Sequence, residues 1–183
     1  MIDPRYSVTG SGFHLSDRQK ELIALAESLG PAFAMRAAKF DREASFPFEN
    51  YADLKKAGLL GLCVPERFGG MGADLRTYAL VSATLGKYCG ATALTFNMHA
   101  CSTLWPGLLA DDLEMTSDQK QEHERYRAVH FNRVVKEGAI YAQPFSEGSA
   151  AAAGKAPFGT LAAKVDGGWR INGMARWGPD SRA

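Results

Sequence analysis

The side chains most able to do chemistry are four histidines and three cysteines in a chain of 183 residues. His14, His99, His123 and His130 have no spacing that suggests a metal site. Cys63, Cys89 and Cys101 are odd in number, form no Cys-x-x-Cys pair and sit among apolar neighbours. They read as buried free thiols of a reducing compartment, which places the protein in the cytoplasm. There is no P-loop, no G-x-G-x-x-G after a strand and no H-E-x-x-H. No local constellation therefore proves a reaction, and the elements that position these groups must be read next.

Helix signals dominate the first three quarters of the chain. Ser16 can cap a helix with Gln19 as its capping-box partner, and Leu22, Leu25, Ala26 and Leu29 form its apolar stripe. Gly30-Pro31 predicts a break or kink, after which Phe33, Ala37 and Phe40 resume the period. A second helix is predicted from Pro47 to Gly58, followed by the apolar run Leu59 to Val64 and the turn-rich Phe68 to Gly72. Asp74 caps a third helix with Tyr78, Val81, Ser82 and Leu85 on one face. From Cys89 to Ala110 there is no charge, and a helix over 91–104 is apolar nearly all round, which predicts a central position. Gly90, Asn97, His99, Pro106 and four Thr/Ser residues argue against a membrane span there. Thr116 and Gln119 open a charged helix reaching about Val135, with His123 and His130 on its solvated face. His99 reads first as a hydrogen-bonded core residue, with ligand contact as the alternative.

After Gly138 the pattern changes. Residues 148–154 are small and featureless; then Leu161, Ala163 and Val165 alternate, Asp166-Gly167-Gly168 turns, and Trp169 and Ile171 alternate again. This is a β-hairpin, and two strands do not stand alone in water. The expected organisation is mainly α: a helical domain over 13–137, then the incomplete start of a β domain over 138–183. A net charge of +1 gives no field for nucleic acid or an anionic membrane.

The order Phe46-Pro47, then Leu54 to Gly61 ending Ala57-Gly58-Leu59-Leu60-Gly61, then Val64-Pro65-Glu66-Arg67-Phe68-Gly69-Gly70-Met71-Gly72 resembles the acyl-CoA dehydrogenase family. The likeness runs from about Phe13 to Asn172. It implies an all-helical N-terminal domain, a middle β-barrel begun here and cut short, and a C-terminal helical bundle. FAD would take a hydride from the β-carbon of an acyl-CoA thioester while a carboxylate on the bundle removes the α-proton. That base lies outside this sequence, so no catalytic residue is assigned and the chain alone is expected to be incomplete and inactive. The full-length protein would be a homo-oligomer.

The resemblance also implies site residues. Gln143-Pro144-Phe145-Ser146-Glu147-Gly148 is the best match to the family's flavin-contacting segment, with Ser146 at its threonine and Glu147 matching. Gln143 stands at its tyrosine, Gly148 at its proline, and alanines replace Gly-Ser-Asp. Gln143, Phe145 and Ser146 are thus candidate FAD contacts, the Ser146 hydroxyl stabilising charge on reduced flavin. Ile171-Asn172-Gly173 matches a later motif, with Ala175 at its lysine and Trp177 where an aromatic packs on the flavin. Thr95, Met98 and His99 are candidates for the acyl pocket, against the alternative of core packing. The departures leave two other readings open: a flavin-dependent monooxygenase of the same fold, and a non-catalytic helical interaction module.

Overall fold

The computed structural model describes residues 14–143 and 159–173. The chain divides into two compact units at Tyr141/Ala142. In the first, the described residues form helices α1 (Asp17–Glu43), α2 (Phe48–Lys56), α3 (Leu75–Gly86), α4 (Gly90–Leu104) and α5 (Ser117–Asn132). Short 3₁₀ turns at Leu59–Gly61 and Glu66–Phe68 join α2 to α3, and single π turns at Trp105–Leu109 and Arg133–Glu137 extend α4 and α5. In the second unit, β1 (Leu161–Val165) and β2 (Gly168–Asn172) form an antiparallel hairpin. Strand is absent from the described residues of the first unit, as the helical reading requires.

Capping builds these helices as expected. Ser16 and Gln19 close a reciprocal capping box on α1, Thr116 and Gln119 do so on α5, and the Asp74 side chain accepts from the Thr77 amide on α3. Of the break or kink expected at Gly30-Pro31, the break does not occur: α1 runs to Glu43 with Pro31 inside it, and Phe33 and Phe40 resume its buried side. The reason lies outside the segment. Leu22, Ala26, Gly30, Phe33 and Phe40 are all buried along one side of α1, so packing on both sides of the proline outweighs its lost hydrogen bond. Gly30 itself admits the Tyr88 ring, because a Cβ there would lie 2.3 Å from Cε2 of that ring. Tyr88 then bonds the Glu27 carboxylate, which also pairs with Lys87 at 2.8 Å.

The core draws Leu22, Ala26 and Phe33 from α1, Tyr51 and Leu54 from α2, Leu59, Leu60, Leu62, Cys63 and Val64 from the turn segment, Val81 and Leu85 from α3, and Phe96, Ala100 and Leu104 from α4. The apolar run after α2 is thus a buried 3₁₀ turn and loop. Its return is tight: the Gly72 amide bonds Val64 O at 2.9 Å, and a Cβ on Gly70 would sit 2.1 Å from that same oxygen. The uncharged helix α4 differs from expectation. Thr92, Phe96, His99, Ala100, Thr103 and Leu104 are buried, whereas Leu94 and Trp105 are 58% and 51% exposed. It lines the core with one face and leaves the other open.

The hairpin turns at Asp166-Gly167, with Gly167 at φ 80°, and Gly168 already pairs with Val165. Leu161 faces Asn172 and Ala163 faces Arg170, while Ala162 faces Ile171 and Lys164 faces Trp169. Directly paired residues share a face. Leu161 and Val165 therefore lie on one face, and Trp169 and Ile171 on the other.

Candidate functional site

The open face of α4 is the natural place to look for a site, and two buried polar networks hold that helix by its ends. At its N-terminus, Arg36 donates to Asn50 Oδ1 at 2.9 Å and to Asp53 at 2.6 Å. Asn50 Nδ2 donates to Thr92 Oγ1 at 2.8 Å, and that hydroxyl donates to Cys89 Sγ at 3.1 Å. At the far end the chain leaves helical geometry at Gly107. Arg127, with a side chain only 2% exposed, donates to the Pro106 and Gly107 carbonyls at 2.9 and 3.2 Å. It also pairs with Asp111 at 2.6 Å and with Glu124. Burial works against the charge on Asp111, but hydrogen bonds from Arg127 and Arg67 outweigh it and hold that carboxyl below the usual range.

Between these anchors the candidate pocket residues separate by face. Thr95 and Met98 are half-buried on the outer side. The Thr95 hydroxyl donates to the Ala91 and Thr92 carbonyls, both at 3.1 Å, which commits its proton within the helix. His99 is on the inner side and fully buried. Its Nδ1 accepts from the Tyr141 amide at 3.0 Å, which puts the ring proton on Nε2, donating to Leu60 O at 2.9 Å. Burial holds its pKa below the ordinary histidine value against the opposing pull of the Leu60 carbonyl. The ring is neutral, and both nitrogens are engaged within the protein. Met98 supplies an adaptable apolar contact, and with Leu94 and Cys101 the outer face is uncharged.

The other sites follow the same accounting. Gln143 is half-buried in the second unit, and Phe145, Ser146 and Trp177 lie outside the described residues. No group of His, Cys, Asp or Glu among the described residues could hold a metal, and no helix among them is long and apolar enough to cross a membrane. All three cysteines are free, and burial pushes the Cys63 thiol up to about 12. Of the helix-face histidines, His130 is exposed and His123 half-buried.

Residues 16–112 match the family model described as the acyl-CoA dehydrogenase N-terminal domain. The chain belongs to the acyl-CoA dehydrogenase family. Probable acyl-CoA dehydrogenase YngJ of Bacillus subtilis (strain 168) is 36% identical over 116 residues, covering 61% of this chain and 28% of the relative. The pigment production hydroxylase of Rhodococcus sp. (strain ATCC 21145) is 25% identical over 161 residues, covering 88% of this chain and 35% of the relative. The crystal structure of a nitrososynthase from Micromonospora carbonacea var. africana superposes with a TM-score of 0.66 at 21% identity, over 87% of this chain and 38% of that one. That likeness is one of fold. The chain spans well under half the length of each.

Several residues whose polar contacts tie the helical unit together escape a reading of the sequence. Asn50 and Arg127 sit in polar stretches that give no sign of burial. Tyr141 follows the last helix in a segment without periodicity, and its role shows only through its bond to His99. A charged residue at a core-facing helical position, as Arg127 is, was the one signal available.

Proposed function

We propose that this chain forms the helical N-terminal domain and first middle-domain strands of an FAD-dependent oxidoreductase that dehydrogenates an acyl-CoA thioester. The match of residues 16–112 to the acyl-CoA dehydrogenase N-terminal domain carries this reading. The open face of α4 supports it, being uncharged, largely apolar and carrying two hydroxyls, Thr95 and Ser102, that donate to the helix's own carbonyls, as suits an acyl chain. Gln143 fits the edge of a flavin, since its carboxamide both donates and accepts. When bound, FAD supplies the two-electron acceptor for the hydride leaving the acyl β-carbon.

The chain's own contribution is positional. Thr95 and Met98 orient the acyl chain, and the uncharged lining excludes water. Gln143, Phe145, Ser146 and Trp177 hold the flavin, with the Ser146 hydroxyl donating to the ring. The protein is a homo-oligomer of the cytoplasm, a setting that suits three free cysteines.

The pigment production hydroxylase, similar across 88% of this chain, favours a second reading, that of a flavin-dependent monooxygenase. Purification of the full-length protein tests both. A yellow protein that releases FAD on denaturation and oxidises acyl-CoA with an artificial electron acceptor meets the first. Oxygen consumption with supplied reduced flavin, and no acyl-CoA oxidation, replaces it with the second. A colourless protein that takes up no flavin removes both and leaves a helical interaction module.

A further inference from the structure

The helical unit ends in a short segment that is held at both of its ends. At its start Gly138 takes a left-handed turn at φ 76°, and its amide and that of Ala139 bond back to Val134 O and Arg133 O at 3.1 and 3.0 Å. Lys55 of α2 fixes this corner: its Nζ donates to Glu137 O at 2.6 Å, and a Cβ on Gly138 would lie 2.4 Å from its side chain. At the other end Tyr141, the last residue of the unit, packs on the core. Its amide donates to Nδ1 of the buried His99 at 3.0 Å, while Nε2 of that ring donates to Leu60 O. The Tyr141 hydroxyl shares a 3.1 Å hydrogen bond with Nδ1 of the exposed His130.

These contacts respond differently to a proton. Neutral His99 has one acceptor nitrogen, and the Tyr141 amide occupies it. A proton on Nδ1 turns that acceptor into a donor, so two N–H groups would face each other in a buried place. His130 meets no such conflict, because a protonated Nδ1 donates to the phenol oxygen, which can accept. The corner at Gly138 depends on backbone carbonyls and contains no histidine. Around His99, burial raises Tyr51 on α2 and Cys101 on α4, and it pushes Cys63 in the turn segment and Tyr78 on α3 up to about 12. All four are therefore neutral where a histidine titrates. We propose that residues 139–141 form an acid-released latch, in which protonation of His99 ejects the Tyr141 amide and the segment swings out about Gly138 while α1 to α5 stay folded. The release needs no flavin. Burial gives its sign: the closed ring resists a proton below the ordinary value of 6.5, whereas opening exposes Nδ1 to water. The latch is thus shut above that value and loosens as pH falls through it, by at most about tenfold per pH unit.

Hydrogen exchange resolved to single amides reads the latch in the full-length protein, between about pH 7.5 and about pH 5 and corrected for the intrinsic pH dependence of exchange. Protection of the Tyr141 amide should fall about tenfold per pH unit below about 6.5, while Phe96 and Ala100 in α4 keep theirs. His99→Asn keeps an acceptor near the place of Nδ1 and cannot take up the proton, so Tyr141 should lose its pH dependence in that variant. His130→Gln changes an exposed residue and should leave the slope as it is. A slope that survives in His99→Asn, or one that vanishes in His130→Gln, places the titrating group elsewhere and overturns the proposal. If His99→Asn does not fold, the wild-type profile still decides. Tyr141 protection that stays flat with pH, or a loss shared equally by Phe96 and Ala100, overturns the latch.

Discussion

The helical unit and the hairpin solve the same problem in opposite ways. Helices α1 to α5 bury a shared apolar core, and they meet the polar groups stranded inside it with Asn50, Thr92, His99 and Arg127. The hairpin satisfies backbone hydrogen bonds between its own strands, but every residue in both strands is exposed. Its apolar residues are divided between two faces, Leu161 and Val165 on one, Trp169 and Ile171 on the other. A helix satisfies its backbone internally and needs cover on one stripe, whereas a strand pair with apolar groups on both faces needs cover on both. Stability should therefore reside in the first unit and depend on its buried polar clamps.

The sharpest way to break this contrast is Arg127→Leu. It removes the donor of the Pro106 and Gly107 carbonyls and leaves Asp111 and Glu124 with Arg67 alone. Leaving two carbonyls there without their buried donor costs about 3 kcal/mol in all. Urea unfolding should show that loss, and a change below about 1 kcal/mol would show the clamp to be incidental. Gly70→Ala comes next. Its Cβ meets the Val64 carbonyl rather than a movable side chain, so the turn must shift, at a cost of about 2 kcal/mol in the same assay.

Acid should weaken the helical unit in two stages. The folded His99 resists protonation while the unfolded chain takes up a proton near the ordinary value of 6.5. Its contribution is thus present above that pH and is lost as pH falls, with a slope of at most about 1.4 kcal/mol per pH unit. Glu124 and Asp111 have lowered values through Arg127 and Arg67, so their share disappears at still lower pH, below the ordinary carboxylate range. Unfolding measured across this range should lose its first stage in His99→Asn and keep its second. Ser16→Ala opens the α1 capping box and should cost about 1 kcal/mol. Smallest of all is Trp169→Thr in the hairpin, which should change the melting of the helical unit by less than about 0.5 kcal/mol. A larger effect would mean that the hairpin supports the helices.

Much of the fold was legible because its signals are local. Ser16 with Gln19, Asp74 with Thr77 and Thr116 with Gln119 each bond within one helical turn, and the sequence displays both partners. Gly30-Pro31 did not break α1 because the packing of Leu22, Ala26, Phe33 and Phe40 on either side of it is supplied by other elements, which local sequence does not show. The uncharged α4 misled in another way: hydropathy shows that a helix can be buried on every side, not that it is. Of the candidate site, only the helix that carries it was legible. Periodicity brought Thr95, Met98 and His99 onto one helix, but which of them faces out depends on Leu60 and Tyr141. Asn50 could not be found from neighbours along the chain, since Arg36 and Thr92 come from other elements, and along the chain Arg127 shows only Glu124, while Asp111 and the Pro106 and Gly107 carbonyls lie elsewhere.

The central claim is that this domain serves a flavin that oxidises acyl-CoA, and anaerobic titration tests it most directly. The full-length protein, loaded with FAD and freed of oxygen, is mixed with a series of acyl-CoA thioesters while the visible flavin band is followed. The account predicts that at least one thioester bleaches the band without any added reductant, with the α,β-unsaturated thioester formed in equal amount. A band that stays fully oxidised with every thioester, in a protein that holds FAD, would contradict it.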